Sequence, residues 1–478
     1  MKQTLHAAAA ALLLLTGGCA TMDAAPVNAQ AREIPARERQ QFQQYHQQIV
    51  QQFGGEVQGP LADYVRRVGL RVALEAVPGS RESDWTISVL SSPVPNAMAV
   101  PGGYLYITRG LLGMMNSEAE LASVLGHEAG HIAARHAQRR QRPATVGALG
   151  TIATAVLLGG DAARLAQLGS AALVGGYSRN QEREADSLGL QYMARAGYDP
   201  MAAASMLAAL DRVATVEGRQ QLERPGVASI FASHPVTAER VQRVAEEARR
   251  KGVRGVENRE PFLAAIDGMT WGDDADQGLV DGPRFRHGTL GFAFAAPPGF
   301  QLSNSPAAVT GQGREGAFRF SGVALQPGQS LEAVAADVWR QATGSVPNIR
   351  PTQTTVNGLQ ALVAPARVST RSGAQDVAVT VIRWSDAQAW VFLTQAPPGN
   401  RVVQDSLLAS FRRMTPNEAA DARRVRRLQV VTVRQGDTVA ALAARMAPPY
   451  DRPQSFLALN GIEERELRPG MRVKLITR

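Results

Sequence analysis

The sequence predicts an α+β chain: a mainly helical domain with a small sheet, then an α+β domain with a mostly antiparallel sheet, then a short βααβ module. Apolar residues recur at helical spacing through much of residues 35–255, whereas alternating apolar and polar segments dominate residues 283–415. A chain of 478 residues is too long for one typical domain. We expect these parts: a signal segment 1–19, a tether 20–34, the helical domain 35–255, a linker 256–282, the α+β domain 283–415, a basic linker 416–427 and the βααβ module 428–478.

The composition indicates a chain with packed cores and a basic surface. Hydrophobic residues make up 45% of it, and the net charge is +9. Lysine occurs only at Lys2, Lys251 and Lys474, so 48 of the 51 basic residues are arginines (51 − 3). A basic surface suits anionic lipid, cell-wall polymer or nucleic acid. Because no nucleic-acid-binding motif is present, we expect no nucleic-acid partner.

Residues 1–19 resemble a bacterial lipoprotein signal peptide. An apolar run from Ala7 to Leu15 is followed by small residues and by the single cysteine, Cys19. The run is too short to cross a bilayer. The resemblance implies a lipid anchor on Cys19 and, with Ala20 after it, an outer-membrane protein facing the periplasm. The alternative is an ordinary signal peptide cleaved nearby, because Leu15 lies four residues before Cys19 and the pattern favours three.

The stretch Ser117–Gln138 contains an H-E-x-x-H pattern, with His127, Glu128 and His131, and is predicted to be helical. Ser117 and Glu120 predict a capping box at its start. On a helix, His127 and His131 share a face, and Glu128 lies beside them. Two neutral imidazoles suit Zn²⁺, and the carboxylate can take a proton from water. The alternative is a surface helix with two solvated histidines.

A small sheet is predicted directly before this helix. Residues 85–90 alternate as in a strand, and residues 98–100 and 104–108 flank a Pro-Gly-Gly turn, which predicts a hairpin. A hairpin edge can receive a substrate peptide as an added strand; the alternative is a sheet that only supports the helix. Other helices are predicted at 61–77, 178–196, 200–213 and 237–251, with a helical pair at 146–174.

Two imidazoles leave a zinc site one protein ligand short. A third histidine in an H-E-x-x-H-x-x-G-x-x-H pattern is excluded, because Ala134 and Ala137 stand at its last two positions. His136 lies five residues after His131, which on a continuing helix turns it away from the metal face. A carboxylate from another helix is therefore the better candidate.

The segment Glu182-Arg183-Glu184-Ala185-Asp186 offers such carboxylates. At about 100° per residue, Glu182 and Asp186 share a helix face, as a ligand and its hydrogen-bonding partner would. Glu184 lies roughly 200° round from Glu182 and is expected to face solvent or an arginine.

Five motifs, in order, resemble the gluzincin peptidase family that contains the CAAX prenyl endopeptidases, HtpX and the BepA-type periplasmic zinc proteases. They are NAMAVPGG at 96–103, TRGLL at 108–112, HEAGH at 127–131, the Glu182-x-x-Ala185-Asp186 segment, and Ser-His-Pro at 233–235. The resemblance covers about residues 35–255 and implies a zincin-like metalloprotease fold.

The resemblance also implies a ligand set and a chemistry. One Zn²⁺ per chain would be held by His127, His131 and Glu182. Glu128 would be the general base, and Asp186 would accept a hydrogen bond from a ligand imidazole.

Substrate contacts are implied as well. The edge strand, with Asn96, Ala97, Met98 and Ala99, would hold the substrate backbone. His234 would either stabilise an oxyanion or cover the open metal position at rest. The alternative for His234 is a structural turn residue ahead of a proline.

Residues 428–478 resemble a LysM module, a βααβ unit that binds N-acetylglucosamine polymers. The matching residues are Gly436, Asp437, Thr438, Leu442, Leu459, Asn460, Pro469 and Gly470. The resemblance implies contact with peptidoglycan, although an inserted Pro-Pro pair lengthens the span between the two helices.

Together these features predict a zinc metalloendopeptidase of the bacterial cell envelope whose substrates are misfolded or unassembled envelope proteins. Two alternatives stay open: a wall-binding scaffold or chaperone without catalysis, and a zinc-dependent peptidoglycan hydrolase. Residues 283–415 hold one histidine, His287, and no cluster of metal ligands, so no chemistry is predicted there.

Overall fold

The computed structural model of the chain describes residues 33–139, 176–218, 222, 229–370 and 373–478. The predicted signal segment with Cys19 and the predicted helical pair at 146–174 lie outside the described residues. Within the described ranges, no helix is long and apolar enough to cross a membrane.

A three-stranded sheet lies at the start of the helical domain. Its strands are β1 (Thr86–Leu90), β2 (Ala97–Val100) and β3 (Tyr104–Thr108), in the order β1-β3-β2. Strands β2 and β3 form the predicted antiparallel hairpin, and β1 pairs with β3 in parallel. Strand β2 is therefore an edge strand, and β3 is its one strand partner within the described residues.

Helices make up most of the described residues between 33 and 266, and those predicted at 61–77, 178–196, 200–213 and 237–251 are confirmed. The described helices are α1 (Ala36–Gln52), α2 (Pro60–Ala76), α3 (Arg109–Leu112), α4 (Glu118–Ala133), α5 (His136–Arg139), α6 (Arg179–Arg195), α7 (Met201–Glu217), α8 (Ile230–Ser233), α9 (Ala238–Lys251) and α10 (Arg259–Ile266).

Helix α1 is an addition to the elements that the sequence predicts. Its many glutamines obscure an apolar stripe in which Phe42, Tyr45 and Ile49 recur at helical spacing. This stripe packs against Tyr104 and Tyr106 of the small sheet. The burial of that stripe, more than intrinsic helix propensity, accounts for the helix.

Helix α4 begins as predicted, with one difference in its cap. The Ser117 hydroxyl accepts a hydrogen bond from the Glu120 amide at 3.2 Å. The Glu120 carboxylate reaches back to the amide of Asn116, at 2.6 Å, and not to that of Ser117, so the predicted capping box is only half formed. The loop before the helix is thereby tied to the first turn of the helix.

Helices α4 and α6 approach closely because glycines lie at their contact. A Cβ added to Gly189 would stand 3.1 Å from the backbone nitrogen of His127, and one added to Gly130 would stand 3.2 Å from the Ala185 carbonyl oxygen. Glycine costs about 1 kcal/mol against alanine within a helix. Here it allows the two helices that carry the candidate ligands to touch backbone to backbone.

Residues 270–422 contain two antiparallel sheets, which confirms the predicted α+β domain. Strand β4 (Thr270–Trp271) belongs to neither sheet. The strands of the two sheets are β5 (Leu279–Asp281), β6 (Arg284–His287), β7 (Phe292–Ala295), β8 (Gln301–Ser305), β9 (Ala308–Gly313), β10 (Gly316–Ala324), β11 (Thr352–Val356), β12 (Leu359–Thr370), β13 (Gly373–Ser385), β14 (Gln388–Ala396) and β15 (Arg412–Arg413). The helices are α11 (Leu331–Thr343), α12 (Val402–Ser410) and α13 (Pro416–Ala422).

The larger sheet has the strand order β11-β12-β13-β14-β10-β9-β8, and the smaller has β15-β7-β6-β5. An aromatic core that includes Phe292, Phe320 and Phe411 fills the space between the two sheets. Helix α11 covers the other face of the larger sheet, where Trp339 is fully buried.

The C-terminal unit has the predicted βααβ order: β16 (Arg426–Thr432), α14 (Val439–Ala443), α15 (Pro453–Asn460) and β17 (Arg472–Thr477). Strand β16 pairs with β17 on one side and with β4 on the other. Leu428, Phe456 and Leu475 belong to the same hydrophobic core as Leu121 and Leu125 of α4. The unit is thus docked on the helical domain.

The two stretches predicted to be linkers form helices and strands where the C-terminal unit meets the helical domain. Residues 256–282 contain α10, whose Phe262, Leu263 and Ile266 are buried in the shared core. Residues 416–427 contain α13 and the start of β16. The glycines and aspartates that follow α10 led to the prediction of a linker. The apolar residues of α10 itself, which precede them, anchor this stretch in the core.

Candidate metal and catalytic site

Four side chains converge where α4 meets α6 and α9. His127 and His131 project from α4, Glu182 from the first turn of α6, and His234 from the residue after α8. One ligand atom from each lies within 4.8 Å of the others. His131, Glu182 and His234 are buried, and the His127 side chain is 12% exposed. These are the predicted ligands together with the predicted His234.

The distances fit a tetrahedral metal ion. Bonds of 2.0–2.1 Å to such an ion separate its donor atoms by roughly 3.3–3.4 Å. The Nε2 atoms of His127 and His131 are 3.0 Å apart. Each lies 3.6 Å from a carboxylate oxygen of Glu182. The three groups therefore suit Zn²⁺ in both atom type and spacing.

The protonation states suit a metal as well. Burial first, and then the neighbouring imidazoles, lower the pKa of His131 well below its usual value, which favours the neutral, ligating form. Burial raises the pKa of Glu182, but the hydrogen bond from His234 and the charges of His127 and Arg240 outweigh it, so the net shift is downward. The cluster thus offers a neutral imidazole and a carboxylate.

Asp186 fixes the orientation of His127. Its Oδ1 lies 2.9 Å from His127 Nδ1, which leaves Nε2 to face the cluster. Arg240 grips the same carboxylate with two N–H groups, at 2.7 and 3.0 Å, and Arg243 adds a third contact. Burial raises the pKa of Asp186, but His127 and Arg240 together hold it well below its usual range.

His136 plays the equivalent part for His131. The two Nδ1 atoms are 2.8 Å apart, and His136 Nε2 lies 3.0 Å from Glu184 Oε2. If His136 donates to Glu184, its Nδ1 accepts from His131 Nδ1–H, and His131 Nε2 then faces the cluster. Glu184, which was predicted to face solvent or an arginine, is partly buried and also pairs with Arg139, at 3.2 Å.

The placement of His136 shows where the helical extrapolation from His131 is wrong. Helix α4 ends at Ala133, and Arg135 has a φ of 54°, in the left-handed region. The chain therefore reverses before His136, which returns to His131 as the first residue of α5. No glycine or proline marks this reversal, so the sequence carries little sign of it.

Glu128 is 1% exposed, and neither of its carboxylate oxygens has a hydrogen-bond partner within the described ranges. His234 Nε2 lies 3.4 Å from Oε1, within ion-pair distance when that imidazole is protonated. A buried carboxylate without hydrogen bonds costs free energy. A water or an amine beside the four-donor cluster would satisfy it, which is what a general base of that site requires.

His234 lies at the fourth corner of the cluster. Its Nδ1 is 3.2 Å from His127 Nε2 and 2.8 Å from Glu182 Oε1. Helix α8, which carries it, is tied to the sheet, because the Ile230 amide donates to the Pro95 carbonyl at 2.8 Å. The segment just before β2 and the segment that bears His234 are therefore mechanically linked.

The predicted substrate-binding residues lie on and beside the edge strand. Asn96, Ala97 and Ala99 are buried, and Met98 is partly buried. Strand β2 lies against α4 and keeps its outer edge unpaired within the part of the chain that the structure describes. A mainly apolar cavity also opens beside Glu128, and Val124, Met193 and Leu207 are among its lining residues.

The comparisons with known proteins agree with this geometry. Residues 61–248 match the model of Peptidase family M48. They form a Peptidase family M48 domain. The M48 domain contains every member of the cluster.

Three relatives illustrate the similarity. Mitochondrial metalloendopeptidase OMA1 of Schizosaccharomyces pombe is 33% identical over 215 residues, which are 44% of this chain and 60% of that protein. Beta-barrel assembly-enhancing protease of Escherichia coli is 28% identical over 222 residues, 43% of this chain and 42% of that protein. Metalloprotease LoiP of Escherichia coli is 31% identical over 168 residues, 33% of this chain and 61% of that protein. The chain thus spans about 40–60% of the length of these relatives.

Sequence reasoning missed three groups that build the site: His136, Arg240 and Arg243. The two arginines are three residues apart on α9 and so share a face, directly after the Ser-His-Pro motif. Two arginines at this spacing could pair with the acidic segment 182–186, and this is the sequence signal from which their role could have been predicted.

The ligand assignment is tested by zinc content. Glu182→Ala is expected to lose zinc, because the site then keeps only imidazoles from the predicted set. Asp186→Asn is expected to bind zinc about 10–100-fold more weakly, because Asp186 orients the ligand His127 and is not itself a ligand. Mass spectrometry measures zinc per chain across a zinc titration. Full zinc occupancy in Glu182→Ala would contradict the assignment.

Two further variants calibrate this series. Glu184→Ala, which the helical wheel alone predicts to be silent, is now expected to weaken zinc binding by less than Asp186→Asn, because it acts on His131 only through His136. Glu239→Gln is the matched control, since that side chain on α9 is 81% exposed and should leave zinc binding unchanged.

Proposed function

We propose that this chain is a zinc metalloendopeptidase of the bacterial cell envelope that hydrolyses peptide bonds in misfolded or unassembled envelope proteins. The observation that carries the proposal is the buried carboxylate of Glu128, without a hydrogen bond within the described residues, beside the cluster of His127, His131 and Glu182. The M48 domain supports the metalloprotease class. One Zn²⁺, when bound there, would polarise the scissile carbonyl and acidify a water molecule.

The chain's own residues account for the remaining steps. Glu128 takes one proton from the attacking water as its oxygen forms a bond to the carbonyl carbon, and passes that proton to the amine that leaves as the C–N bond breaks. Asp186 and His136 keep the Nε2 atoms of the two ligand imidazoles turned towards the cluster. Burial of Glu128, Asp186 and His136 strengthens their electrostatic interactions.

Protein substrates are favoured by two features next to the cluster. The outer edge of β2 can accept an extended peptide as a further strand, with Asn96–Ala99 holding its backbone. The apolar cavity beside Glu128 suits an aliphatic side chain of that peptide. An extended, accessible backbone is what a misfolded or unassembled protein offers. Peptidoglycan offers glycan strands and only short stem peptides, with little extended backbone to pair along β2, which disfavours the peptidoglycan hydrolase alternative.

The envelope assignment rests on other features. The lipoprotein-like segment 1–19 favours lipidation at Cys19 and an outer-membrane anchor facing the periplasm. The similarity to a protein named beta-barrel assembly-enhancing protease is consistent with substrates in that compartment.

We also propose that residues 428–478 contact peptidoglycan, as the LysM-like pattern implies. The βααβ order and the exposed turns at Gly436 and at Pro469-Gly470 support this. Sedimentation of the full chain with purified peptidoglycan is the assay, because the docked unit is part of a shared core.

Glu128→Gln is expected to keep zinc and to lose proteolysis of casein by about 10²–10⁴-fold, the usual contribution of a general base. The amide has the size of the carboxylate but cannot take the proton. Zinc content and initial cleavage rates are measured on the same preparation, with Glu239→Gln as the control. Undiminished casein cleavage would refute the mechanism, and sacculus digestion without casein cleavage in the wild type would favour the peptidoglycan hydrolase.

His234→Ala is expected to raise the turnover of a short peptide, because Nδ1 at the fourth corner shields the position that substrate needs. The measurement is kcat with zinc per chain determined in parallel. A fall of about 10²–10³-fold at unchanged zinc content would assign His234 to oxyanion stabilisation instead. Unchanged kcat would make it a structural turn residue.

Cys19→Ser is expected to release the protein from the outer-membrane fraction and to abolish labelling by a radioactive fatty acid. The inactive Glu128→Gln variant serves as the control, since it keeps Cys19 and should fractionate like the wild type. Absence of label on the wild type would disprove the lipoprotein assignment.

A further inference from the structure

Lys474 is fully buried where the C-terminal unit meets the helical domain. It lies on β17, and its ammonium group donates hydrogen bonds to the carbonyl oxygens of Gly113, at 2.9 Å, and Met115, at 2.7 Å. Those two carbonyls belong to the short turn between α3 and α4. The side chain therefore connects the last strand of the chain with the turn that leads into the helix bearing His127, Glu128 and His131.

The direction of this side chain depends on the docking. Along β17, Val473 and Leu475 on either side of Lys474 belong to the hydrophobic core, and successive strand residues point to opposite faces, so Lys474 projects from the other face of the strand. In a free βααβ unit that side would meet water. Here it meets the helical domain, and the ammonium loses its hydration, which is costly unless hydrogen bonds replace it.

The backbone of Lys474 is held as firmly as its ammonium group. The Asn460 side chain accepts from the Lys474 amide at 2.7 Å and donates to the Lys474 carbonyl at 3.0 Å. Asn460 is 1% exposed and lies at the end of α15. The strand position from which the lysine projects is therefore fixed by its own unit.

Two further charged groups hold the same turn. Glu120, in the first turn of α4, accepts from the Asn116 amide. Arg259, on α10, donates to the Asn116 carbonyl at 3.0 Å and to the Arg472 carbonyl on β17 at 3.2 Å. Burial raises the pKa of Glu120 and lowers that of Lys474, and each charge partly offsets the shift of the other.

This turn sets the starting point of α4. From Ser117, His127 is ten residues along the helix, a rise of about 15 Å. Helix α4 is continuous from Glu118 to Ala133, so the residues at its end share one axis with its first turn. A change in the turn is therefore passed to the positions of Glu128 and His131 relative to Glu182, which lies on a different helix.

We propose that residues 426–478 are an integral part of the peptidase, and that Lys474 is a positioning residue that sets the active-site helix through the carbonyls of Gly113 and Met115. The proposal rests on the proposed proteolytic function for its activity readout. The proposal goes beyond that function because it gives the LysM-like C-terminal unit a role in catalysis.

The test compares Lys474→Met with Lys251→Met in the full chain. Methionine keeps most of the side-chain volume and removes the donors, and Lys251 is the partly exposed last residue of α9. For Lys474→Met we expect kcat on a peptide substrate at least tenfold lower, KM within about twofold, and zinc per chain unchanged at saturating zinc. Lys251→Met should match the wild type.

A second measurement is independent of activity. Hydrogen exchange followed by mass spectrometry should show faster exchange in residues 113–121 of Lys474→Met, with α6 and the sheets of residues 284–413 unchanged. Unchanged exchange in 113–121 overturns the proposal whatever the activity. If the wild type and Glu128→Gln prove equally inactive, the proposed function fails, and hydrogen exchange alone still decides the role of Lys474.

The double variant Glu120→Gln/Lys474→Met separates positioning from charge balance. It removes both buried charges, so its melting temperature should recover towards that of the wild type, while its kcat stays low because the carbonyls of the turn remain unheld. Recovery of kcat together with the melting temperature would show that Lys474 only neutralises Glu120, and would overturn the proposal. The same holds if Lys474→Met keeps full kcat at a temperature well below its melting point.

Discussion

The backbone contact between α4 and α6 is the constraint on which the candidate site depends. Two imidazoles come from one helix and the carboxylate from the other, so the donor spacing is set by how closely the helices approach. Gly130 and Gly189 make that approach possible, because a side chain at Gly189 would press on the backbone of His127 itself. Each glycine costs about 1 kcal/mol of helix propensity, and in return the two helices approach closely enough for their ligand atoms to suit a metal ion.

Around this contact the charges are arranged in layers. Glu182 and the imidazoles face the cluster, Asp186 and His136 hold the imidazoles from behind, and Arg240 holds both acidic groups, with an Nη1 to Glu182 Oε2 distance of 3.0 Å. Two carboxylates so close together would repel each other, and the buried guanidinium offsets that repulsion. Glu128 is the exception, since within the described residues its oxygens have no hydrogen-bond partner, and only His234 Nε2 stands near one of them, at 3.4 Å.

The sequence predicted what local patterns encode and missed what long-range packing decides. The helical domain, the hairpin, the α+β domain and the βααβ order follow from periodicity, capping residues and turn residues. The ligand set came from a resemblance to a family, not from geometry. His136 escaped because a non-glycine residue, Arg135, reverses the chain. Helix α1 was not predicted because glutamines mask its apolar stripe. The docking of the last unit was not predicted because a lysine in an alternating strand looks like an ordinary surface residue.

That lysine shows how the docked unit differs from a tethered module. A buried ion is a costly way to join two surfaces, and an apolar residue of similar volume often stabilises such a contact as well or better. What an ammonium group provides is direction, because its donors must meet carbonyl oxygens at fixed positions. At Lys474 those positions are the backbone of the turn before α4, so the unit is held in one register against the active-site helix. The same unit carries the exposed turns at Gly436 and Pro469-Gly470, and β17, which bears Lys474, joins it to the turn before α4.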